Sequence, residues 1–331
     1  MRLTQSEKME IIRIVESSEL GAVRTLKELG INKSTFYRWY AKYKSFGYDG
    51  LAAIQPKRKF FWNQIPQRER QQVVEIALSK PELSPRELAH HITDKQGWFI
   101  SESSVYRILK ARGLITSPTH IVMAASNEFK DKTTAINQLW QTDFTYLRVI
   151  GWGWYYLTTI LDDYSRYIIA WELCKNMKSR DVQHIMDKAL ASTNLQNGHR
   201  PKLLSDNGSC YISKDLNVYL NDLDIVHIRG KPHHPQTQGK IERYHRSMKN
   251  VVKLENYYSP GELERRLDEF IEYYNKHRYH ESIDNLTPAD VYFGRGQKIL
   301  DKRKKIKRTT LMKRRKKYMK EKVLSQSCFE M

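Results

Sequence analysis

Three acidic residues, Asp143, Asp206 and Glu242, sit in segments whose residue types suit phosphodiester chemistry. Asp143 lies in Trp140-Gln-Thr-Asp-Phe-Thr-Tyr146, which alternates like a strand. Asp206 lies in Leu203-Leu-Ser-Asp-Asn-Gly208, where an apolar strand stops at an acid and a turn. Glu242 lies in Pro235-Gln-Thr-Gln-Gly-Lys-Ile-Glu-Arg243, at the opening of a helix. The first two acids are 63 positions apart, and 35 residues separate the second from the third. Carboxylates at strand ends and a helix start can converge as hard oxygen ligands for two divalent cations, an arrangement that breaks and joins phosphodiesters.

Each acid also has a plain structural reading. Asp-Asn-Gly is a common turn former, and Glu242 between Lys240 and Arg243 could belong to a helix salt-bridge face. Asp143 is harder to dismiss. Alternation puts it on the side of Gln141 and Thr145, away from the apolar partners. An acid half-buried in a strand needs a partner, and a cation is one.

The elements that must position these residues begin near 138. Strands are expected at 139–149, 153–161, 167–173, 202–205 and 224–229. Helices are expected around 179–194, 213–222, 238–253 and 260–276. Three consecutive strands followed by alternating strand and helix call for a mixed sheet with helices on both faces. Upstream, residues 5–45 read as three short helices, with Met9, Ile12 and Val15 on one face and Val23, Leu26 and Leu29 on another. The Gly30-Ile-Asn32 turn before Lys33-Ser-Thr-Phe-Tyr-Arg-Trp-Tyr40 is a helix-turn-helix signature. Phe36, Trp39 and Tyr40 are its core candidates. Ser34, Thr35, Tyr37 and Arg38 are its candidates for groove contact, against a plain three-helix unit with a solvated basic face.

A second helical unit spans 66–114. Ser84-Pro-Arg-Glu87 is a capping box with proline at the first helical position. A recognition-like helix follows at Ser103-Ser-Val-Tyr-Arg-Ile-Leu-Lys-Ala-Arg112, with Ser103, Ser104 and Arg107 as DNA-contact candidates. His90 and His91 lack a nearby cysteine pair and read as half-exposed helix residues rather than zinc ligands. The expected organisation is a helix-turn-helix domain at 1–50, a basic linker at 51–65 and a second such domain at 66–114. A linker at 115–137, a catalytic core at 138–297 and a basic tail at 298–331 complete it.

Charge agrees with a polyanionic partner. The 331 residues carry a net charge of +20 and a pI near 9.7,. Residues 298–331 hold 14 Lys and Arg against three acids, a net of +11 that leaves +9 for the rest. Such a run adds salt-sensitive affinity for DNA or is an inert tail. Three scattered cysteines offer no disulfide framework,. No signal peptide and no membrane-length apolar run is visible, so a soluble cytoplasmic, nucleoid-associated protein is expected.

Four segments together resemble the catalytic core of bacterial insertion-sequence transposases. They are Trp140 to Tyr146, Asp162-Asp-Tyr-Ser-Arg166, Ser205-Asp-Asn-Gly-Ser209 and His234-Pro-Gln-Thr-Gln-Gly-Lys-Ile-Glu-Arg243. The resemblance is to the retroviral-integrase superfamily, nearest its insertion-sequence-three branch. Tyr274-Asn-Lys-His-Arg-Tyr-His-Glu-Ser-Ile283 and Leu286-Thr-Pro-Ala-Asp290 resemble that branch's C-terminal core signature.

The resemblance implies an RNase H-like mixed-sheet α/β core preceded by two all-α helix-turn-helix domains. It implies Asp143, Asp206 and Glu242 as a triad for two Mg²⁺ or Mn²⁺ ions. Lys240 and Arg243 would bind scissile-end phosphates, and His233 and His234 would contact DNA or order their loop. Asp162 is expected to be structural, pairing with Arg166 or capping its strand. The implied partners are double-stranded DNA, as element ends and target, and further copies of the chain in the active complex. The chain lacks the paired-His, paired-Cys zinc module of retroviral integrases. A regulator with an inactive core is disfavoured by the intact acids, and an RNA–DNA hybrid nuclease by the tandem duplex-reading units.

Overall fold

A computed structural model describes residues 3–52, 61–115, 133–193, 195, 199–230 and 239–327. His233, His234, Cys328 and most of both expected linkers lie outside the described residues. The chain divides into two compact units, one through Gln64 and one from Ile65 onward.

The first unit holds α1 (Gln5–Ser17), α2 (Ala22–Glu28) and α3 (Lys33–Phe46). Thr4 and Glu7 form a reciprocal capping box that starts α1,. Gly30 turns the chain into α3 with φ of +65°, a conformation that side chains with a Cβ resist. Asn32 then caps α3 by accepting from the Ser34 N–H. Ile12, Val15, Leu26, Phe36 and Leu51 make the core, with Met9, Trp39 and Tyr40 packed against it. The expected apolar face of α2 is only partly formed: Val23 is 58% exposed and Leu29 38%. Steps of three residues fall about 60° short of a full turn, so the three positions fan out and only Leu26 points inward.

The second unit opens with α4 (Gln67–Ser79), α5 (Pro85–His91) and α6 (Glu102–Ala111). Ser84 and Glu87 form the capping box of α5, with Pro85 at its first position. A single π-type turn, Ile92–Gln96, joins α5 to the loop before α6. Val73, Leu88, Ile92, Val105 and Leu109 fill the space between these helices.

The sheet follows, with β1 (Leu139–Val149), β2 (Gly153–Asp162), β3 (Ile168–Cys174), β4 (Lys202–Ser205) and β5 (His227–Arg229). Its order is β3-β2-β1-β4-β5. The first three strands are antiparallel neighbours, while β4 runs parallel to β1 and β5 parallel to β4. On one face lie α7 (Ser179–Ser192), α8 (Ser209–Ile212) and α9 (Lys214–Asp222), closing over Trp140, Ile160 and Leu203. On the other lie α10 (Gly239–Val252) and α11 (Pro260–Lys276), closing over Leu147, Leu157 and Leu161. Each such buried aliphatic side chain contributes about 1.5–3 kcal/mol. Helices on both faces of a mixed sheet are what the alternating sequence pattern calls for.

The C-terminal core signature ties this scaffold together. Asn275 on α11 accepts from the Ile168 N–H at 2.9 Å and donates to the Ile168 carbonyl at 3.0 Å, pinning the start of β3. Thr287 caps the short α12 (Pro288–Tyr292). The basic stretch beyond is no tail. It forms one helix, α13 (Gly296–Ser327), about 48 Å long at 1.5 Å per residue. No proline or glycine interrupts it after Gly296, and Arg303 and Arg314 anchor it to Asp94 and Glu69. Among the described residues no helix is long and apolar enough to cross a membrane.

Candidate active site

The parallel pairing of β1 with β4 sets Gln141 opposite Leu204. Continuing that register two residues places Asp206, just past the end of β4, across from Asp143. Neighbouring strands run about 4.8 Å apart, so the two carboxylates lie side by side where β4 ends. The register offset equals the 63-position spacing of the two acids. Asp143 does share a face with Gln141 and Thr145. That face is not free of apolar neighbours, because it continues into the buried Leu147 and Val149 under α10.

The strand ends at Asp206 because its own carboxylate accepts the Gly208 N–H at 2.9 Å, turning the chain into α8. Partial burial pushes the Asp206 carboxyl above its ordinary value, the Gly208 N–H opposes that, and the charge of Asp143 adds to it. Two like charges held side by side with too little compensation are what a cation relieves. Glu242 sits in the first turn of α10 and lines a cleft of about 720 Å³ with Asp143, His245, Arg246, Lys249 and Tyr146.

All three acids offer carboxylate oxygens, the donor type that hard divalent cations take. Among the described residues no lysine or arginine forms an ion pair with any of them. Nor are three or more His, Cys, Asp or Glu side chains already gathered into a metal-binding group among the described residues. The three carboxylates fit a divalent ion in chemistry, with β1 supplying Asp143, the turn after β4 supplying Asp206 and α10 the third acid.

Sequence reasoning missed several residues of this site. Gln141 is fully buried, donates to Asp163 at 2.7 Å and accepts from the Ile241 N–H at 3.1 Å. It thereby ties the first turn of α10, and with it Glu242, to the strand that carries Asp143. The buried Nδ1 of His245, one turn after Glu242, lies 3.3 Å from an Asp143 oxygen. Asp163 accepts from Thr133 and Gln141 and pairs with Lys240. The acid doublet at 162–163 was the available signal for Asp163, whereas nothing local marked Gln141.

Asp162 is fully buried and caps the β2–β3 turn, accepting from the Asn137 N–H, the Ser165 N–H and the Ser165 hydroxyl at 2.6–2.8 Å. Burial is the main cause that raises its carboxyl above the ordinary range. Of the two expected roles capping is the one realised, because the Arg166 guanidinium donates instead to the Asp163 and Tyr164 carbonyls.

Lys240, expected to bind scissile-end phosphates, is engaged within the protein. Its side chain is 26% exposed, and its ammonium is bound to both the carboxylate and the carbonyl of Asp163. The first turn of α10 faces the β2–β3 turn, so that acid claims the lysine. Arg243 is exposed. On α3, Ser34 spends its hydroxyl on Asn32, Thr35 is half-buried, and Tyr37 and Arg38 are exposed. On α6, Ser103 and Ser104 bond to Ser101, and Arg107 bridges the Ser103 carbonyl and the Ser104 hydroxyl, leaving Ser103 and Arg107 exposed.

Comparison with known proteins agrees with this architecture. Two integrase core domain models match residues 133–235 and 223–288. A homeodomain-like domain model matches 35–109, beginning inside α3 and ending in α6. The transposase for transposon Tn552 of Staphylococcus aureus is 26% identical, over 84% of this chain and 62% of that protein. The transposase for insertion sequence element IS904 of Lactococcus lactis is also 26% identical, over 48% of this chain and 62% of that protein.

An intracisternal A-particle Pol-related polyprotein of mouse is 33% identical over 35% of this chain and 13% of its own length. This chain thus spans less than two thirds of each of these relatives. Among solved structures, the HTLV-2 integrase catalytic core domain in complex with magnesium aligns with a TM-score of 0.39 at 18% identity. That alignment covers 48% of this chain and 97% of that one. Integrase core domain models over the sheet region and two bacterial transposases, one of them similar along 84% of this chain, support an insertion-sequence DDE transposase of the integrase superfamily.

Proposed function

We propose that this protein is a DNA transposase that binds the terminal inverted repeats of its element and carries out metal-dependent strand cleavage and transfer. The observation that carries the reading is the β1–β4 register, which two residues past Gln141 and Leu204 puts Asp206 across from Asp143, while Asp143 and Glu242 line one cleft. The two bacterial relatives are named as transposases, and a homeodomain-like segment precedes the core.

In this reading Asp143, Asp206 and Glu242 hold two divalent ions, Mg²⁺ or Mn²⁺. Bound there, such ions lower the pKa of an attacking water or 3′-hydroxyl and stabilise the departing oxygen. Gln141 and the Lys240–Asp163 pair hold α10 against the sheet so that Glu242 stays at the cleft. His245 orients the Asp143 carboxylate. Lys249 and Arg246, on the cleft wall beyond Glu242, offer cations to the DNA backbone. Exposed Tyr37 and Arg38 on α3, and Ser103 and Arg107 on α6, are the side chains free to meet duplex DNA. Bringing two element ends together calls for more than one copy of the chain.

The test uses the full chain with DNA bearing the repeats that flank its gene. Mg²⁺-dependent joined products are expected. Asp143→Asn should lose on the order of 10³-fold or more of that activity while binding the ends as before. Joining by the variant at the parent rate would refute the assignment. End binding without joining by the parent protein would instead favour a regulator.

A further inference from the structure

The strongest feature that the catalytic reading leaves unused is how α13 is fastened. Its first turns rest on the core, and its later turns reach the helical module of α4–α6. Arg303, 10% exposed, makes four hydrogen bonds that bridge the two. Two go to the Asp94 carboxylate of the module, at 2.7 and 2.8 Å, and the others to the Asp284 and Asn285 carbonyls of the core, at 3.1 and 2.9 Å. Tyr279 of the core donates to the same Asp94, and the Arg303 guanidinium lies over its ring.

Two to three turns further along, α13 grips the loop that precedes α6. The Phe99 N–H donates to the Thr310 hydroxyl at 3.0 Å, and the Phe99 carbonyl accepts from Arg314 at 3.0 Å. Arg314 is 8% exposed and pairs with Glu69 of α4 at 2.6 Å. Both backbone groups of one residue, two positions before the Ser101 cap of α6, are therefore satisfied by α13. Leaving either arginine without its carboxylate would be costly, so these contacts favour one placement of the module even though the buried Nε of Arg314 has no partner among the described residues.

We propose that Arg303 and Arg314 make α13 a positioning strap that fixes α6 relative to the carboxylates. This sets how far along the DNA from the recognised sequence the cut falls. The inference rests on the transposase reading for its consequence, but the strap itself is a physical claim about the free protein. Arg303 is the keystone because a planar fork can serve a carboxylate and two carbonyls at once, whereas a lysine of equal charge cannot.

The experiment uses the full chain and two variants, Arg303→Lys with Arg314→Lys, and Thr310→Val. Amide hydrogen exchange is followed in the free protein, and the cut positions are mapped on repeat-bearing DNA with Mg²⁺. Exchange across 97–111 should speed up by on the order of tenfold in the double lysine variant and less in Thr310→Val. Exchange in β1 should stay as it was.

The parent should cut at one phosphodiester, and the double variant should spread its cuts over neighbouring bonds with end affinity retained. Unchanged exchange at 97–111 in both variants would overturn the strap. So would faster exchange accompanied by cutting at the same single bond, which would leave it a merely structural contact. If the parent makes no cut at all, the transposase reading fails while the exchange data still judge the strap.

Discussion

Asp162 and Asp163 share a sheet with Asp143, Asp206 and Glu242, yet the protein treats the two groups of acids in opposite ways. Asp162 pairs with Trp140 in the ladder, and Asp143 lies three residues further along the same strand. The first pair is sealed: Asp162 takes three short hydrogen bonds and Asp163 takes Gln141, Thr133 and Lys240. The other three acids receive far less, with His245 beside Asp143 and a backbone N–H on Asp206. Polar groups that the fold has satisfied serve the fold. Carboxylates gathered at an open cleft with lone pairs to spare are available to something that arrives later.

The largest effect that could break this contrast is Asp162→Ala. It leaves three buried or half-buried donors without an acceptor and should cost about 2–4 kcal/mol in urea unfolding. Asp143→Asn should shift the same curve by no more than about 0.5 kcal/mol. Similar losses from both would erase the distinction.

Next comes Gln141→Leu, which joins the two groups. It should lower strand transfer about 10- to 100-fold through a misplaced Glu242, with end binding intact, and cost about 1–3 kcal/mol of stability. If transfer holds at the parent level, Gln141 belongs only to the sealed group.

The smallest effect is Asp206→Asn. The folded carboxyl has a raised pKa, so the fold favours its neutral form. The stability this group contributes is present below the ordinary value of 3.8 and is lost as pH rises through the raised one. An amide stays neutral throughout. The variant should therefore melt slightly higher than the parent at pH 7, with the gap closing below pH 3.8. Asp206 as a residue is exposed, so solvent screening should keep the gain below about 0.5 kcal/mol. A lower melting point at pH 7 would show that the carboxylate is better compensated than its surroundings indicate.

Much of the sheet was legible because Trp140 to Tyr146 reads as an alternating strand and because Asp-Asn-Gly ends β4 where an apolar run stops, whereas β2 is buried almost continuously. The 63-residue spacing of two acids was visible too, but its meaning as a strand register depends on which strands pair, and no local pattern carries that. Gln141 was invisible for the same reason, since its partners Asp163 and Ile241 come from two other elements. The run of lysines and arginines after 297 reads as a tail by composition. Its helical state follows from Asp94, Glu69 and Phe99, all far away in sequence. Val23 and Leu29 were misread because a seven-residue helix is too short for an i, i+3 pattern to define one face.

The two strands that carry the paired acids differ in ways that bear on motion. Asp143 stands on an eleven-residue strand at the centre of the sheet, inside its long ladder with β2 and two residues past its short ladder with β4. Asp206 follows a four-residue strand whose outer neighbour is a three-residue edge. Breaking the first requires opening the whole domain, while the second can detach by losing a handful of ladder bonds. One carboxylate is thus a fixed reference point. The other rides on a segment able to breathe on a faster clock, and under the proposed function the distance between them would be the coordinate along which an incoming ion or strand is admitted.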